Sequence, residues 1–176
     1  MSQVRAEFRF TLLVVTVLGG LHGVVISLKG LVSASSQGFG EYLLVSIVLV
    51  LYTYVITAGV IFWREPNETR PLKWALAIQV PWISLPGFVY KFAAGFHVFT
   101  GFIAEHHRDR YSAGFNWSFD IGSLCELRLF QSAPIEIGVN VAAFAALFFL
   151  NREISATSGR LETESVTLSE VPRERL

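Results

Sequence analysis

Charged residues are missing from long, sharply bounded stretches of this chain. Phe10 to Leu28 and Tyr42 to Trp63 hold none, Trp74 to Ala104 holds only Lys91, and Ser132 to Leu150 holds only Glu136. A helix needs about 20 mostly apolar residues to cross roughly 30 Å of hydrocarbon, where backbone groups can bond only to one another. The pattern predicts an all-α membrane protein with four transmembrane helices, over about 10–28, 42–63, 74–104 and 133–150. Composition agrees: 52% of residues are hydrophobic and only 16% charged, whereas a soluble domain is typically about a quarter charged.

The third stretch is too long for a straight span, at about 46 Å of helix. Pro81 and Pro86-Gly87 interrupt it, and a proline removes a backbone donor, so a helix kink is expected there. The segment 105–131 is then an outer loop between helices 3 and 4. Within it, Phe115 to Ile121 alternates apolar and polar residues, Gly122-Ser123 offers a two-residue turn, and Leu124 to Phe130 returns. This predicts a small extramembrane β-hairpin, with an aromatic loop as the alternative. Its register sets Trp117 opposite Arg128 and Phe119 opposite Glu126. A lone hairpin is marginal in water, so its aromatic face is expected on the helices or the membrane surface.

Lys and Arg counts orient the chain. Arg5 and Arg9, then Arg64, Arg70 and Lys73, then Arg152 and Arg160 flank the spans on one side. Both termini are therefore expected in the cytoplasm, although Arg108, Arg110 and Arg128 dissent. The first apolar stretch exceeds a usual signal-peptide core, which favours a retained helix over cleavage near Val32-Ser33-Ala34. Residues 151–176 mix Glu, Ser, Thr and Arg without aromatics, the composition of a disordered cytoplasmic tail.

Ionisable groups within apolar spans are costly and need partners. Lys91 and Glu136 both approach the outer side, with Asn140 one helical turn deeper than Glu136 and His22 at similar depth, so these four form the candidate polar cluster. A Lys91 that merely snorkels outward is the competing reading. Thr16, Gly20, Gly23 and Ser27 line one stripe of the first span, and Gly19 with Gly23 makes a small-xxx-small pair suited to close helix packing.

Catalytic signals are weak. His97, Glu105, His106, His107 and Asp109 cluster in sequence but lack metal-ligand spacing, so no metal is expected. Cys125 is alone, without a histidine placed to activate it, and no cofactor motif is present. Fourteen basic and fourteen acidic residues cancel, which argues against nucleic acid as a partner. The bilayer is the expected partner, together with a second copy or another membrane protein. The functional expectation is an interaction or assembly component of a bacterial inner membrane, more a scaffold than an enzyme. A small-molecule or ion transporter subunit working through Lys91 and Glu136 is the alternative.

Overall fold

Leu85-Pro86-Gly87-Phe88 is a tight turn. A proline ring holds φ at about −65° and Gly87 takes φ +89°, so Pro86-Gly87 is the Pro-then-Gly pair that reverses a chain in two residues. In the computed structural model, which describes residues 6–33, 39–107, 110–130 and 133–169, the expected third span is accordingly absent. In its place stand a short helix α3 (Arg70–Ala77) and strands β1 (Pro81–Leu85), β2 (Phe88–Ala93) and β3 (Phe96–His107). Pro81 opens β1 rather than kinking a helix. An apolar run rich in Phe, Val, Ile, Tyr and Trp suits either a buried helix or a strand, and the Pro-Gly turn tips this one to strands.

The fourth span is also absent. Its first half is strand β6 (Ile135–Asn140), and its second half opens helix α4 (Val141–Ser169). The apolar part of α4, Val141 to Leu150, is only about 15 Å long, too short to cross a bilayer. The helix continues to Ser169, through most of the stretch whose composition reads as disordered; residues 170–176 lie outside the described residues. Among the described residues, two helices are long and apolar enough to cross a membrane, α1 (Ala6–Ser33) and α2 (Phe39–Arg64). The protein is thus not an all-α four-helix bundle. It joins four helices to a six-stranded antiparallel sheet of order β4-β3-β6-β1-β2-β5.

Strands β4 (Arg110–Ile121) and β5 (Leu124–Leu129) fall where the alternation and the Gly122-Ser123 break predict them, but they do not pair with each other. Trp117 lies opposite Thr100 and Phe119 opposite Val98, while Glu126 faces Lys91 and Arg128 faces Val89. Phe88 with Leu129, Ala93 with Leu124, Phe96 with Ile121 and His107 with Arg110 share one unbroken register. The segments 88–107 and 110–129 are therefore the two arms of one long hairpin, bent at Ala94-Gly95 and Gly122-Ser123. The β1–β6 ladder fills the space between its two halves, pairing with β2 on one side and β3 on the other.

Directly opposed residues in antiparallel strands share a face, and here the faces differ sharply. Phe115, Trp117, Phe119 and Ile121 of β4, Phe102 of β3 and Ile137 of β6 lie on the outer face, which carries no charge from Phe96 to Ala104 or from Ala113 to Ile121. The inner face carries Lys91, Asp120, Glu126, Arg128 and Glu136. The sequence-based register would have mixed aromatic and ionic side chains on one face.

The bend seats on α1. A Cβ on Gly19 would overlap the backbone of Ala94 and Gly95, and one on Gly95 (φ +93°) would meet the Val15 carbonyl. Gly20 and Gly23 instead admit Ile56 and the Tyr52 ring of α2, and Gly59 admits Thr16. Tyr52 packs on Phe92 with ring centroids 4.9 Å apart, and each such buried side chain contributes about 1.5–3 kcal/mol. Val24, Val48, Tyr90 and Cys125 pack against this core. A second core at the opposite end of the pair gathers Leu12, Phe62, Leu72, Leu76 and Leu150 from all four helices.

Candidate functional site

Two glycines make room for the polar interior of the sheet. Gly101, Gly138, Trp82, Lys91 and Glu126 lie in one row across the inner face. The Phe99 ring covers both glycines, where any Cβ would collide with it. Trp82 stacks on Phe99 at 4.2 Å between centroids and 19° between planes, and His97 lies 5.7 Å from Trp82 on the same face. Trp82, His97 and Phe99 are all buried.

Lys91 reaches from β2 across β1 to ion-pair with Glu136 on β6. Ser84, one row from Lys91 on the intervening strand, is small and turns its hydroxyl away to the Pro134 carbonyl at 2.8 Å. The ammonium also lies 3.7 Å from Glu126 and 5.6 Å from the Trp82 ring centre. Glu126 in turn bonds Arg128 at 2.9 Å. The result is an alternating chain, Arg128–Glu126–Lys91–Glu136, half-exposed at Arg128 and only 9% exposed at the Glu136 side chain.

Asn140 shares the inner face with Glu136, carried there by strand alternation rather than by a helical turn. It is fully buried, and its Oδ1 accepts from the backbone N–H groups of Val98, Ala142 and Ala143. The last two bonds cap α4. His22 does not join this group. It sits on α1 beneath the bend, where Nδ1 accepts from the Ser123 N–H at 3.0 Å while the Ser123 hydroxyl donates to the Gly19 carbonyl. Of the four candidates, the structure brings Lys91 and Glu136 into contact, holds Asn140 further along the same strand, and separates His22. Pro81, Pro86 and Gly87 act as strand start and turn.

Sequence reasoning missed Trp82, Ser84, His97, Phe99 and Glu126. Their signal was the alternation Trp82-x-Ser84 and His97-x-Phe99 on either side of the Pro86-Gly87 turn, which a helical reading hides. Three buried atoms here lack hydrogen-bond partners: Trp82 Nε1, His97 Nδ1 and Asn140 Nδ2. Such an unpaired group typically costs about 1–3 kcal/mol.

Cys125 lies on the outer face against Tyr52 and Phe92. Burial, and then the neighbouring Glu126 carboxylate, push its thiol up to about 12, which makes it a poor nucleophile at neutral pH. Among the described residues, no three His, Cys, Asp or Glu side chains gather to hold a metal ion. Comparisons with protein-family models, with curated proteins and with solved structures find no match for this chain.

Proposed function

We propose that this protein is an integral membrane protein crossing the bilayer through α1 and α2, with an interaction or assembly role. The observation that carries this reading is the self-neutralising interior. Arg128, Glu126, Lys91 and Glu136 pair with one another, and Phe99 and Trp82 fill the space beside them. Ion pairs spent on each other serve conformational specificity better than transport. The outward surfaces of α1 and α2 support membrane insertion, since Leu18, Val25, Leu43 and Val50 are all exposed. Arg9 bonds the Trp63 carbonyl and lies over its ring at one end of the pair, the same end as Arg64, Arg70 and Lys73. That end is assigned to the cytoplasm, because cytoplasmic loops carry the excess of Lys and Arg.

A carrier of ions or small molecules is the second reading, favoured by the unpartnered atoms of Trp82, His97 and Asn140. Reconstitution into liposomes separates the two. For a scaffold, imposed proton and potassium gradients decay no faster than in protein-free liposomes, and cross-linking in native membranes yields discrete species larger than the monomer. A flux that disappears in Lys91→Met overturns the scaffold in favour of the carrier.

A further inference from the structure

We infer that the outer face of the β3–β4–β6 half of the sheet lies against lipid, making the sheet a membrane-embedded element rather than an external domain. The inference rests on the membrane reading of α1 and α2 and extends it to the sheet, including strand β4, which lies outside every apolar span predicted from the sequence.

Depth is fixed by the glycine contact. Gly95 touches α1 at Gly19, about 20 Å from the start of a helix some 42 Å long. If α1 spans the bilayer, the bend of the hairpin sits near its centre. From there the β2–β5 half heads towards the end where one helix leads into the other, since Ser123 bonds His22 and Phe92 packs on the Tyr52 ring that sits over Gly23. The sheet thus stands beside the helices through one leaflet.

What faces outward at that depth is apolar. Phe115, Trp117 and Ile121 are 76%, 72% and 75% exposed, an unusual condition for large side chains in water. The same face is already apolar where it meets protein, since Phe92 and Cys125 belong to it and pack on Tyr52. Its uncharged run, Phe96–Ala104 against Ala113–Ile121, is about 30 Å long. At the roughly 45° tilt of strands in a bilayer it descends about 21 Å, and so crosses the ~15 Å of one leaflet's hydrocarbon into the headgroups. The charged residues Glu105 and Arg110 follow in sequence where it ends. Apolar residues outward and ionic residues inward is the arrangement of strands in a bilayer. Lipid does not satisfy an unpaired strand edge, so the β4 edge lies where Asn116 and Ser118 on its inner side admit water.

The test is a nitroxide scan along β4 in Cys125→Ala protein reconstituted in phosphatidylcholine vesicles. Phe115→Cys, Trp117→Cys and Phe119→Cys report the outer face, and Asn116→Cys and Ser118→Cys report the inner one. All five positions are exposed, so the labels leave the core intact. The expected result is a several-fold alternation in the ratio of oxygen to nickel-chelate relaxation, with lipid-soluble oxygen dominant at the three odd positions. Any result without that alternation overturns the inference. Nickel access at the odd positions places the face in water, and protection from both reagents means that a second copy or another protein covers it. Val50→Cys on α2, 67% exposed, keeps the two readings apart. If it too reports water, the membrane reading of α1 and α2 fails. If it reports lipid while the odd positions report water, only the embedded sheet fails.

Discussion

At the residue scale, the two partners of the central ion pair are not equivalent. Lys91 has two carboxylates to choose from, Glu136 and Glu126 at 3.7 Å, whereas among the described residues Glu136 pairs only with Lys91. Lys91→Met therefore strands a carboxylate whose side chain is 9% exposed, at a cost of about 3–5 kcal/mol. Glu136→Gln leaves the ammonium with Glu126 and should cost less, about 1–2 kcal/mol, near the penalty for a poorly satisfied polar group. The double variant should recover much of the larger loss. Denaturant titrations of the three variants in detergent check this ordering. Equal single losses that simply add would mean that the pair is not coupled.

At the element scale, Asn140 joins the sheet to the fourth helix. The residue ends β6, its N–H bonds the Val80 carbonyl, and its side chain caps the first turn of α4. Asn140→Ala removes the cap and leaves the Val98 N–H unpaired, so a loss of about 1–2 kcal/mol is expected. Asn140→Asp preserves the acceptor and should restore the cap, while placing a charge in a fully buried position. Circular dichroism resolves the two effects. Helix content should fall in the alanine variant and hold in the aspartate variant, even where the latter is less stable overall.

At the scale of the whole molecule, helices and sheet meet through a close backbone approach at Gly19 and Gly95 beside the Tyr52–Phe92 contact. Gly19→Val would push Ala94 and Gly95 off α1, and overpacking of this kind costs about 1–3 kcal/mol. Gly30→Val, on the same helix in open space, should cost far less, about the 0.5 kcal/mol expected of surface changes. The distinguishing measurement is proteolysis of the folded protein. Gly19→Val should speed cleavage within β2 and β5 without exposing α1 and α2, because the junction opens before the helix pair does.

Some of this architecture was written in local sequence. The uncharged runs of α1 and α2 are long enough to read as spans without knowledge of anything else, because a helix satisfies its own backbone. The alternation from Phe115 to Ile121 and the Gly122-Ser123 break likewise give strands at β4 and β5. A lysine and a glutamate in apolar surroundings each require a partner, and that requirement alone nominates Lys91 with Glu136. The remainder depended on pairing between distant segments. Trp74 to Ala104 reads equally as a kinked helix or as strands around a turn, since Pro81 and Pro86-Gly87 fit both. Strand hydrogen bonds are made with other segments, so only the tertiary structure decides between them. The same holds for β4 and β5, whose two-residue link looks like a hairpin turn but is one side of a bend in a longer hairpin. It holds too for His22, which shares a depth with Lys91 in a helical reading yet serves the α1 junction. Sequence spacing measures distance along the chain, and the strand register sets which residues meet.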